Sequence, residues 1–392
     1  MVEQNRPTSP IDEVTVENAG RIVSGWTSVS VSRGLDRLAG SFSLAFPRTA
    51  RARANSTAGD TASRYLSPII PGRGGVRILL GGDAVLWGYV DSVQPGTDEN
   101  AGTVQVVGRS VTADLADCSA MNEPGQWQNA ALADVVAAIA APFGLVVDNR
   151  AGRIVVKNFE LESGERAFGA IERVCRSHGF VLHDSGSGAV VIDRPTGVAA
   201  EGALNYLFGP DGGPDPANNV LNTAARITLA GRFSEIIVRG QDAGTDTSFG
   251  ADAAGVEGRA QDGGVTRYRP LIIAATGRVD GKSAREQAQW EVSRRIGQGL
   301  ELTHVVRGWR QQKNGELWIP GLKVPVRDAS AGVFADMLVT EVEWSVDGTV
   351  GRQTRLTLQS PAAFTPKPVS VGADALGQWD YAGQQVVGAG EQ

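Results

Sequence analysis

Two stretches of the chain are written on one plan, with Pro71 and Pro320 at the same point in each and 249 residues apart. The first runs Pro71-Gly72, a short strand with apolar Val76, Ile78 and Leu80, a turn, VLWGYVDSV, a second turn, and TVQVVGRS ending at Ser110. The second runs Pro320-Gly321, Leu322, Val324 and Val326, a turn, MLVTEVEWSV, a turn at Asp347-Gly348, and RQTRLTLQS ending at Ser360. Apolar residues recurring every second position predict antiparallel strands, and turn signals at this spacing predict a small barrel or sandwich. A chain with two similar β units is suited to building a ring when it oligomerises.

A chain of 392 residues exceeds one ordinary core and is expected to form about two to four domains. Fifty glycines and three methionines point to a turn-rich β protein. The formal net charge of -6 argues against general nucleic-acid binding, which shows as a basic domain. No apolar run reaches the roughly 18 residues that span a bilayer, and MVEQNRPTSP lacks the apolar core of a signal peptide, so synthesis in the cytoplasm without stable membrane insertion is expected. Cys118 and Cys175 are too few for a disulfide framework, and Cys175 falls on a helix's apolar face as a small buried hydrophobe.

The expected architecture is mainly β with α+β parts: two similar small β-barrels, one of them discontinuous, and an α/β domain with two helices. Residues 1–10 are polar and expected to be flexible. The first barrel takes 11–110, where GWTSVSVSR sets Val29 and Val31 on one face and SFSLAF groups Phe42, Leu44 and Phe46. Between Arg48 and Arg77 six arginines face one acid, Asp60, in a long flexible insertion with a basic charge; a phosphate or an acidic protein surface would suit it, and a solvated loop is the plainer reading. The α/β domain takes 111–225. Its first helix carries Leu132, Val135, Val136, Ile139 and Phe143 on one stripe, and its second Ala167, Ile171, Val174, Cys175 and His178. The second barrel is assigned 226–240 and 300–361, with an excursion at 241–299 that contains a helix over 281–297. A tail of little periodicity, 362–392, closes the chain.

Catalytic signals are sparse. His178, His183 and His304 are the only histidines, in no zinc spacing, and His178 on an apolar stripe reads as a structural histidine. Phosphate-loop, nucleophile-elbow and dinucleotide motifs are missing from the sequence, and Glu160, Glu162 and Glu165 read as a solvated loop. No catalytic residue, metal ligand or cofactor is assigned. Trp290 stands out: with 100° per residue, Ala284, Ala288, Val292 and Ile296 span about 120° while Trp290 projects about 240° from Ala284, among Arg, Glu and Gln. It either packs under a loop of its own chain or anchors a subunit interface.

GWTSVSVSR, GYVDSV, GRSVTADLADCSA, GQWQN, RFSEIIVRG, VTRYRPLIIAA and GW…GELWIP occur in this order between Val14 and Pro361. Together they resemble the baseplate hub proteins of Mu-like contractile-tailed phages. The resemblance implies a non-enzymatic virion protein of the tail baseplate, assembled in the host cytoplasm as a homotrimer with six barrels around a channel. It implies the tail spike, the tail tube and other baseplate proteins as partners, no specific nucleic acid, and a role adapting a sixfold tube to a threefold membrane-piercing spike. The alternative is a tail-associated cell-wall hydrolase or glycan-binding module. The Arg-rich insertion and the Gly-rich tail depart from the Mu-like pattern.

Overall fold

The computed structural model describes residues 13–35, 37–47, 69, 72, 74–97, 102–194, 197–240, 255–275 and 280–364. The flexible N-terminus expected at 1–10, most of the Arg-rich insertion and the tail after Phe364 lie outside the described residues. The chain divides into two compact units, one from the described residues up to Arg226 together with Leu300–Phe364, the other from Ile227–Gly299.

The first unit begins with β1 (Val14–Asn18), β2 (Arg21–Val23), β3 (Ser28–Gly34), β4 (Arg37–Pro47), β5 (Val76–Leu80), β6 (Asp83–Thr97) and β7 (Gly102–Ser110). Alternation fixes their faces as expected: Val29, Val31, Phe42, Leu44 and Phe46 are all buried. After the short α1 (Ala113–Asp117) comes an α/β insert of β8 (Gln126–Ala131), α2 (Leu132–Ala140), β9 (Val147–Asn149), β10 (Val155–Glu160), α3 (Ala167–Ser177), β11 (Val181–Asp184) and β12 (Val190–Asp193). Short strands β13 (Val198–Ala199) and β14 (Leu204–Tyr206) lead into β15 (Val220–Ile227). The second unit holds β16 (Glu235–Gly240), β17 (Val256–Gln261), β18 (Pro270–Ala274) and α4 (Gly281–Gln298). The chain then completes the first unit with β19 (Leu300–Arg307), β20 (Leu322–Asp328), β21 (Val333–Asp347) and β22 (Gly351–Gln359).

The repeat seen in the sequence is a repeat of strands. β6 and β21 are both 15 residues long, β7 and β22 both 9. Pairing follows β4-β7-β6-β5 in one group and β19-β22-β21-β20 in the other. The register of β6 on β7 shifts between Val90 and Ser92, and that of β21 on β22 between Val339 and Glu341. A bulge costs one unpaired residue and bends its strand, so its recurrence at the same place in both copies marks a shared architecture. The two groups are not separate sheets: β3 pairs with β4 on one side and with β21 on the other, joining both into one 14-stranded sheet. One apolar core runs through the two groups, with Phe42, Ile78 and Leu86 from the first and Leu302, Trp344 and Leu356 from the second.

One assignment is corrected. Residues 235–240, expected in the second β group, form the central strand β16 of a separate three-stranded sheet with β17 and β18. The strand beside β19 is instead β15, Val220–Ile227, most of which lies within the 111–225 segment expected for the α/β domain. The run RITLAGRFSEIIVRG reads as continuous strand, but a turn interrupts it, with the Arg232 N–H donating to Leu229 O at 3.1 Å. The helix expected over 281–297 is α4, capped by Asp280 and Ser283 in a reciprocal box. Ala284, Ala288 and Val292 are buried as expected, whereas Ile296 is exposed. At its first turns the helix comes close to the sheet, where Gly258 of β17 lies against the backbone at Ala284 and Arg285.

The insert contains a second, smaller repeat. Leu132, Val135, Val136, Ile139 and Ala140 form the buried stripe of α2, and Ala167, Ala170, Ile171, Val174 and Cys175 form that of α3, each 35 positions later. Each helix is followed by a left-handed glycine, Gly144 at φ 69° and Gly179 at φ 78°, then a buried Leu145 or Phe180. β8 pairs with β10, while β9 and β11 flank β12.

Candidate functional site

The histidines fold into structural roles. His304 on β19 and Asp328 at the end of β20 are fully buried, with His304 Nε2 2.9 Å from Asp328 Oδ2. Thr223 on β15 donates its hydroxyl to the same oxygen, and Ser330 N, Ser330 Oγ and Ala331 N donate to Oδ1 at 2.9, 2.7 and 2.9 Å. Burial pushes the Asp328 carboxyl up, but these donors together outweigh it and hold it down to about 2. Burial likewise lowers His304 from its ordinary value against the opposing pull of Asp328, leaving a neutral imidazole that donates through Nε2. A pair sealed from solvent has no substrate to exchange protons with; it ties three strands together instead. His178 ends α3 with Nδ1 2.8 Å from Val174 O, and His183 is buried with Nε2 3.7 Å from Asp193 Oδ2. Cys175 is buried and its thiol is pushed up to about 12 by that burial, which leaves it unreactive. Among the described residues no three His, Cys, Asp or Glu side chains converge as a metal site.

A second polar joint holds the insert to the first β group. Arg33 on β3 is buried, donates to the backbone oxygen of Asp184 on β11, and lies 5.9 Å from the centre of the Trp344 ring. Burial lowers its guanidinium below the ordinary value, with Asp184 opposing. The Asp184 carboxylate accepts from Gly186 N at 2.6 Å and Thr112 Oγ1 at 3.3 Å, while Thr112 also donates to Leu38 O at 2.6 Å. Gly186 and Gly188 allow the close approach, because a Cβ on either would collide with Arg33 or Trp87. Sequence reading missed this joint: a lone arginine in an alternating strand gives no sign that its partner lies 151 residues away.

What remains open is the sheet's rim. β15 ends the strand order on one side and β2 on the other, each with one paired neighbour among the described residues. Exposed backbone edges are templates for pairing with another chain. Trp290, the residue singled out from the sequence, is half-buried on α4 with the Arg294 guanidinium 5.6 Å from its ring centre.

Three family models match the chain: Mu phage baseplate assembly protein GpP-like, N-terminal, over residues 13–110; baseplate hub protein gp44-like, second domain, over 112–194; and Mu phage baseplate assembly protein GpP, fourth domain, over 280–367. The chain is 30% identical over 361 residues to the baseplate hub protein gp44 of Escherichia phage Mu, covering 90% of this chain and 88% of that protein. It is similar to the 43 kDa tail protein of prophage MuSo2 from Shewanella oneidensis, with a TM-score of 0.75, 28% identity, and coverage of 91% and 100% of the two chains. A tail protein from Neisseria meningitidis MC58 shares the fold at a TM-score of 0.71 and 21% identity, covering 90% of this chain and 98% of that one.

Proposed function

The chain belongs to the family of the phage Mu baseplate hub protein, and on that premise we propose that it is the structural hub of a contractile tail baseplate, a virion component assembled as a homotrimeric ring. The matching families and the Mu relative are all baseplate proteins, in agreement with a non-enzymatic role.

The observation that carries this reading is the doubled strand group, with its bulge after Val90 repeated after Val339. Three chains with two similar groups each present six similar surfaces about a threefold axis. Such a ring meets a sixfold tail tube through the six and a threefold spike through the three, and tube, spike and other baseplate proteins are its proposed partners. Light scattering at micromolar concentration should give three times the chain mass, and electron microscopy down the axis a ring of six similar densities. A monomer, alone and with its spike, would refute the ring.

Trp290 is proposed as a subunit contact within this assembly, since a large aromatic at the edge of a charged helix face gains most when a partner covers it. Trp290→Ala should preserve the circular dichroism spectrum and weaken assembly at least tenfold. An unchanged dissociation midpoint on dilution removes Trp290 from the interface.

A further inference from the structure

We propose that the joint made inside the chain is made again between chains: the outer edge of β15 in one copy pairs with the second half of β6 in the next. This rests on the ring reading and supplies its interface.

The pairing inside the chain is the template. β21 uses one side twice: its first half, Val333–Leu338, takes β20, and its second half, Glu341–Asp347, takes β3. β6 is its counterpart, and its first half, Asp83–Gly88, takes β5 in the same way. Its second half, Ser92–Thr97, pairs with β7 and has no strand on the other side among the described residues. The counterpart of β3 is β15. β3 flanks β4 as β15 flanks β19, and β4 and β19 occupy equivalent places, with Phe42 opposite Gly108 and Leu302 opposite Leu358. One copy of the joint is therefore filled within the chain, and the same two edges are left over for a second filling.

Burial separates the filled from the unfilled edges. On β3, Val29 and Val31 are 2% and 0% exposed. On β15, Val220 is 6% exposed and belongs to the core, and Thr223 donates to buried Asp328. The rest of the strand is open: Leu221 is 45% and Ile227 71% exposed, and Ala224 and Ala225 are exposed as well. The other edge shows the same difference: Val342 of β21 is fully buried, while Val93 of β6 is only half-buried. Apolar side chains along an edge strand are left open when the next strand is missing, and a second copy of this chain carries the missing strand. Pro95 leaves the β6 edge one donor short, which suits an edge that must accept one partner and refuse others. The contact is head-to-tail, β15 to β6, so it closes a ring rather than a two-fold dimer.

Leu221→Asp and Val93→Asp each spoil one edge. Each variant alone, checked for native circular dichroism and melting, should fall to the mass of one 41.1 kDa chain. Mixed in equal amounts they should give a dimer and stop there, because the intact β15 of one meets the intact β6 of the other. If a variant fails to fold, a photo-crosslinker at Ala224 in the otherwise native chain should mark residues 92–97 of a neighbouring chain. Variants that keep the wild-type mass, dissociation by Leu221→Asp alone, or crosslinks mapping elsewhere would overturn the pairing and leave the ring standing. A wild-type protein that never assembles would overturn both.

Discussion

At the scale of single residues, buried charges decide more than surface ion pairs. Asp328 is held at about 2 against an ordinary 3.8, a difference of about 2 kcal/mol of stability. Because the folded value is the lower one, that contribution is present above about pH 4 and is lost as pH falls toward 2. His304, also lowered, takes up a proton on unfolding only below its ordinary 6.5, so stability also declines as pH drops below that value. Asp328→Asn should therefore melt lower than wild type at pH 7 and show a flatter melting curve against pH between 4 and 2. Asp328→Ala should cost about 3–5 kcal/mol by chemical denaturation, since it leaves Thr223, Ser330 and His304 without their acceptor. At the other joint, Arg33 Nε has no partner, so Arg33→Met should cost less than Asp184→Ala, for which on the order of 3 kcal/mol is expected. Neither joint was legible in the sequence, where His304 and Asp328 look like unrelated residues on separate strands.

At the scale of elements, periodicity told which face of a strand is buried, and the placements of Val29, Val31, Phe42, Leu44 and Phe46 show how well. It did not tell which strand lies beside which. Strands 220–227 and 235–240 have similar local appeal, and only long-range pairing sends the first to β19 and the second to β17 and β18. The helix at 281 was legible from its apolar stripe, but not the contact that positions it. A Cβ on Gly258 would strike the backbone at Ala284 and Arg285, so Gly258→Ala must push α4 away from the sheet, losing about 1–3 kcal/mol. Thermal unfolding followed by far-ultraviolet dichroism measures that loss, and an unchanged melt would show that α4 can shift freely.

At the scale of the molecule, the two units share no core: the first is built on a strand-group core with Phe42 and Trp344 and an insert core with Leu132 and Ile171, the second on Val238, Ala284 and Ala288. Calorimetry should resolve two transitions, and Gly258→Ala should lower only one of them. The family was legible from seven short motifs in order, and the doubled strand group from spacing alone. The fusion of both groups into one sheet was not, because it depends on β3 meeting a strand more than 300 residues away, as in the contact of Ser30 Oγ with Glu343 Oε1 at 2.7 Å.

That seam also has a mechanical character. β3 and β21 run antiparallel in unbroken register from Glu341 opposite Gly34 to Asp347 opposite Ser28. A pull along the strands loads every rung of this ladder at the same moment, whereas a pull across them opens the rungs one after another. The two halves of the chain are thus hard to slide and comparatively easy to peel, a directional toughness built into the joint between the two strand groups.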